Sequence, residues 1–84
     1  MASHSHQFVE TYQGLVGFGL DRETDENTVV YYLQKFSDDQ LMAVLTKRLS
    51  DDELAAIFEM LSSHLSRHLN EDEYHRLFLK EAHT

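Results

Sequence analysis

Three stretches of this chain repeat one order of polar and apolar positions. Ser37-Asp38-Asp39-Gln40 leads into Leu41, Val44 and Leu45; Ser50-Asp51-Asp52-Glu53 leads into Leu54, Ile57 and Phe58; Asn70-Glu71-Asp72-Glu73 leads into Tyr74, Leu77 and Phe78. In each, apolar residues stand at the fourth, seventh and eighth places after a capping residue, the spacing that gathers them on one face of a helix. The polar lead is a capping box: the first side chain accepts a backbone N–H three residues on, and the Gln or Glu reaches back to the cap's own N–H. Phe36, Leu49 and Leu69 precede the three caps, placed to touch Leu41, Leu54 and Tyr74 as hydrophobic staples.

A weaker copy at Thr24 puts successive starts 13 residues apart, although Asn27 stands where the box needs Gln or Glu. The following Thr28-Val29-Val30-Tyr31-Tyr32-Leu33 is rich in β-branched and aromatic residues and taken alone reads as a strand. The repeat register and the lack of a partner strand favour helix. Such a helix is apolar almost all round, the mark of a buried central element. Towards the N-terminus, Phe8, Val9, Tyr12, Leu15 and Val16 share one arc of a helical wheel, and Gly14, Gly17 and Gly19 break the pattern. The expectation is an all-α fold, a compact bundle of five short helices near residues 5–16, 25–35, 38–48, 51–68 and 71–81, with residues 1–4 a frayed tail. One or two residues separate the last four helices, and corners so short suit steeply crossing neighbours.

The length, 84 residues, is that of one domain. A chain of this size encloses only a small core, and such domains often draw added stability from a partner or a second copy. The formal charge of −8 invites a search for a basic partner. Helix construction accounts for much of it: Asp25, Glu26, Asp38, Asp39, Asp51, Asp52, Glu53, Glu71, Asp72 and Glu73 fall in expected first turns, and Lys35, Lys47, Arg48 and Arg67 near the opposite ends. With no cysteine, thiolate chemistry and disulfides are excluded. No apolar run approaches the roughly 20 residues of a membrane span, and Met1-Ala2-Ser3-His4-Ser5-His6 is unlike a secretion signal, so a cytoplasmic location is expected, with no membrane partner.

Candidate chemistry is sparse. His64 and His68 lie at i and i+4 with His75 beyond them, a spacing that can chelate, so these three are the candidate metal ligands. The competing reading places His68 at the rim of the apolar stripe of Leu54, Ile57, Leu61 and Leu65, where the helix C-terminus favours an imidazolium. No metal is therefore assigned. Gly14, Gly17 and Gly19 form G-x-x-G-x-G without the strand or lysine of a phosphate loop. Serines serve as caps and carboxylates as first-turn acids, which leaves no catalytic set and no cofactor site. The steps from Phe36 to Phe78 faintly resemble the helices of the Trp repressor family, but no glycine turn or basic recognition helix matches, and seven Lys and Arg are too few for a DNA-reading face. No nucleic-acid partner is expected.

Val29-Val30-Tyr31-Tyr32-Leu33-Gln34-Lys35-Phe36-Ser37-Asp38-Asp39, together with Glu73-Tyr74-His75-Arg76-Leu77-Phe78-Leu79, resembles small bacterial helical proteins known only as cytoplasmic proteins. The resemblance implies a helical protein of the bacterial cytosol and transfers no site residues. The nine Phe and Tyr residues carry the functional expectation. So many rings in so short a chain leave some at the surface, where Tyr and Phe anchor interfaces. The expectation is a non-enzymatic protein–protein interaction or oligomerisation module, a homodimer or a binder of another protein, with Phe8, Tyr12, Val30 and Tyr31 at the contact. A histidine-dependent metal-binding protein and a small transcription regulator are the alternatives.

Overall fold

Each helix of this protein begins or ends where a side chain takes over a backbone group that the helix itself leaves unpaired. In a computed structural model describing residues 6–81, the elements are α1 (Gln7–Thr11), α2 (Arg22–Phe36), α3 (Asp39–Arg48), α4 (Asp51–His68), α5 (Glu71–Glu73) and a π-helical turn (Tyr74–Phe78) continuing α5. Among the described residues there is no strand, and the fold is all-α. No helix among them is long and apolar enough to cross a membrane. They divide into two compact units, residues 6–48 and residues 49–81.

α4 follows the sequence expectation from end to end. Ser50 Oγ accepts the Glu53 N–H (3.1 Å) and Glu53 Oε1 accepts the Ser50 N–H (2.8 Å), so both halves of the box are made. Asn70 and Glu73 form the second box, at 2.8 and 2.9 Å. Beyond it the expected helix to residue 81 is shortened. The Leu79 N–H bonds five residues back, to the Tyr74 carbonyl, and Lys80 turns into the left-handed region at φ 59°.

The start near 37 is shifted by one residue. Ser37 is the C-cap of α2, where its hydroxyl donates to the Gln34 carbonyl (2.9 Å). Asp38 Oδ2 accepts the Leu41 N–H (3.1 Å) instead, so Asp38 begins α3 and no Ser37–Gln40 box carries it. The start expected at Thr24 likewise moves upstream. Asp21 is the N-cap of α2, accepting from the Thr24 N–H (2.8 Å) and hydroxyl (3.0 Å). These bonds hold the Asp21 carboxyl below its ordinary pKa, the Thr24 N–H being the larger cause.

α1 stops at Thr11, well short of residue 16. Tyr12 is extended at ψ 125°, and its hydroxyl reaches over the following turn to the Leu15 carbonyl (2.9 Å). A Cβ at Gly14 would overlap the tip of that ring, so any other residue there requires the Tyr12 side chain to move. The segment is then tied to α2. The Thr28 hydroxyl donates to the Gly17 carbonyl (2.8 Å) and accepts the Gly17 N–H (3.0 Å), Asp25 Oδ1 accepts the Gly19 N–H (2.8 Å), and Gln34 Oε1 accepts the Val9 N–H (2.9 Å). Gly19 sits at φ 95°, a left-handed position that glycine adopts without strain.

The expectation of a buried α2 is overturned. Residues 28–33 are helical, but Val29, Val30, Tyr32, Leu33 and Phe36 are exposed, and among the described residues the buried core contains no apolar side chain. Thr28, 5% exposed, is the one buried residue of α2. The physical reason is the partner available. α2 turns its Asp25, Thr28 and Gln34 positions to the N-terminal segment, which meets them chiefly through backbone groups and leaves the rest of the circumference open.

Three expectations follow from the caps and the tie. Ser50→Ala and Asp38→Ala should each cost about 0.5–2 kcal/mol in denaturant titration, while Ser37→Ala should stay within about 0.5 kcal/mol. Thr28→Val should cost about 1–3 kcal/mol, because the isostere buries both Gly17 backbone groups without a partner. The Asp21 cap contributes in full above the ordinary carboxylate value and is lost as pH falls through its lowered native value. Helicity of α2, read at the Thr24 amide by NMR, should therefore drop below about pH 4, and Asp21→Asn should abolish that titration while keeping a cap.

Candidate functional site

The residues expected at an interface are brought together by α1 and α2. The rings of Phe8 and Tyr12 stack at 4.8 Å, Tyr12 meets Tyr31 at 6.2 Å, and Lys35 Nζ lies 5.5 Å from the Tyr31 ring centroid. Phe8, Tyr12 and Tyr31 are thus half-buried against one another, a small aromatic cluster within the unit of residues 6–48. Val30 stays exposed, sharing with Phe18 and Val29 the side of a second surface.

That surface was not singled out by sequence. Phe18, Val29, Tyr32, Leu33 and Phe36 border an open hollow of about 330 Å³ floored by Gly17 and Thr28. The loop that Thr28 ties down carries Phe18, 72% exposed, to its rim. Nothing in the periodicity of α2 distinguishes this side, because apolar residues occur around most of the helix. The Gly17–Thr28 tie selects it.

In the unit of residues 49–81, α4 exposes a stripe of Leu54, Ile57, Phe58 and Leu61, with Phe58 at 71% exposure. Towards its C-terminal end the adjacent arc is lined with Ser62, Leu65, Ser66 and Leu69, which share a hollow with Tyr74. Tyr74 in turn stacks on Phe78 at 5.3 Å. Sequence reading identified an apolar stripe of Leu54, Ile57, Leu61 and Leu65 on this helix without assigning it to the contact. A usable signal was present, since Leu54, Phe58, Leu61 and Leu65 alternate in steps of four and three residues, the period of a helix-pairing seam.

The histidines are arranged as follows. His64 and His68 stack with centroids 6.0 Å apart along one face of α4. His75 Nδ1 instead lies 2.7 Å from Glu81 Oε1, an ion pair when the ring is protonated, and the ring packs edge-on against Tyr74 at 5.7 Å. Among the described residues no three His, Cys, Asp or Glu side chains converge as a metal site would require. His4, expected in the frayed tail, lies outside the described residues, and His6 stands before α1 without a side-chain cap bond.

Several polar side chains are engaged in construction. Asp21, Asp38, Ser50 and Asn70 hold helix starts; Asp25, Thr28 and Gln34 hold backbone of the N-terminal segment. Two apolar surfaces stand open: the Phe18–Phe36 hollow and the α4 stripe. Comparison with protein-family models, with curated proteins and with solved structures gave no match to this chain.

Proposed function

We propose that this protein is a non-enzymatic interaction module whose apolar faces are completed by another polypeptide. The observation that supports the reading is the disposition of its large apolar side chains. Val29, Leu33 and Phe36 on α2, Leu41 and Val44 on α3, and Leu54, Ile57, Phe58 and Leu61 on α4 are all exposed, and no apolar side chain among the described residues belongs to a buried core. Burial of apolar area is the main favourable term in folding, so helices whose apolar faces stay open gain most of their stability on association. Contiguous apolar surface of more than a few hundred Å² marks a contact site on a stable protein. The capping and tying roles of the polar residues agree with this reading, because they preset the helices and leave the apolar faces free to dock.

The reading is tested by heat unfolding over a hundredfold range of concentration, beside binding of an apolar dye. A Tm that rises with concentration is expected if the partner is a second copy. A broad transition with strong dye binding at every concentration is expected if the partner is foreign. A sharp transition independent of concentration, with no dye bound, would show a self-sufficient core and overturn the proposal.

A further inference from the structure

Resting on the reading above, we infer that two copies of this chain pair through α4, antiparallel, about a twofold axis at the level of Glu59 and Met60. The inference comes from the order of residues on one exposed face. Leu54, Phe58, Leu61 and Leu65 alternate in steps of four and three, which keeps a straight apolar seam along a helix pair. Leu54 and Leu61 are 41% and 44% exposed and Phe58 71%, so the seam is open, and Leu65 is half-buried at its end beside the hollow shared with Tyr74.

The seam is symmetric under reversal. Turning α4 end for end about its midpoint carries Leu54 onto Leu65 and Phe58 onto Leu61, so a second antiparallel copy meets apolar residues with apolar residues at every level. The same rotation brings the first turn of one copy level with the last turn of the other, with Asp51 and His68 at the two ends of the seam and Asp52 and Arg67 on the far side of the helix. Charge therefore selects the orientation. α4 carries Asp51, Asp52 and Glu53 in its first turn and Arg67 and His68 in its last. Parallel pairing would lay the two acidic first turns side by side, whereas antiparallel pairing lays each acidic first turn beside the partner's last turn and opposes the two helix dipoles. The 18 residues of α4 make a helix about 27 Å long, of which the seam from Leu54 to Leu65 takes about 17 Å, and helices so paired cross at about 20°.

The test uses the full chain and analytical ultracentrifugation. A two-chain mass at micromolar concentration is expected, and Phe58→Glu and Leu61→Glu should each raise the dimer dissociation constant at least about a hundredfold, because the seam then buries an unpaired carboxylate. Both residues are exposed in the single chain, and unchanged helicity by circular dichroism confirms that folding is not what was lost. Orientation is read with thiols, which the natural sequence lacks. Mixing a Leu54→Cys chain with a Leu65→Cys chain under mild oxidation should give the mixed disulfide in excess over either symmetric one.

A dominant Leu54→Cys symmetric disulfide means parallel pairing and overturns the inference. So does a dimer that both glutamate variants leave intact, which moves the contact to another face but spares the module reading. A single-chain mass throughout overturns α4 pairing. In that case dye binding with a broad unfolding transition leaves a foreign partner in place, and a sharp, concentration-independent transition without dye removes the module reading too.

Discussion

The constraint on which this structure depends is that helices this short must satisfy their own ends. A helix leaves its first N–H groups unpaired, and where no apolar core among the described residues holds the helices in place, side-chain caps fix where each one starts. Asp21, Asp38, Ser50 and Asn70 supply them, each accepting a backbone N–H three residues on. The acids that follow α4 and α5 caps add a favourable interaction with the helix dipole, and much of the net charge follows from this duty. Acidity in this protein is accordingly a feature of helix construction before it is a feature of recognition.

The N-terminal segment illustrates a second use of polar groups. Thr28 gives and takes one hydrogen bond with the backbone of Gly17, Asp25 takes the Gly19 N–H, and Gln34 takes the Val9 N–H. A loop with left-handed Gly19 and Gly14 beneath the Tyr12 ring is thereby held on α2 without burying a large side chain. The arrangement orders backbone while leaving Val29, Leu33 and Phe36 exposed. On the proposed reading these faces, and the seam of α4, are kept for contact with another polypeptide.

What sequence made legible was local. The Ser50–Glu53 and Asn70–Glu73 boxes and the extent of α4 are read from groups within one turn of one another, whereas the helical state of residues 28–33 is read from the repeat register against their own β propensity. Where two local solutions compete, pattern alone misassigns them. Ser37 stands one residue before Asp38, and either side chain can cap; the carboxylate of Asp38 begins α3 while Ser37 closes α2. Asp21 outranks Thr24 for the same reason, because Thr24 supplies the N–H that the Asp21 carboxylate accepts.

Sequence by itself thus determined the helices, their order and the starts of α4 and α5, because capping and periodicity act over three or four residues. Only the tertiary structure decided which apolar residues are covered. Phe8, Tyr12 and Tyr31 shelter one another, while Phe18, Phe36 and Phe58, with the same hydrophobic character, stay open. The difference is made by contacts between distant residues: Gly17 with Thr28 and Val9 with Gln34 fix which side of α2 is occupied. Burial depends on what else fills the space around a side chain, and the spacing of apolar residues along one helix carries no record of that.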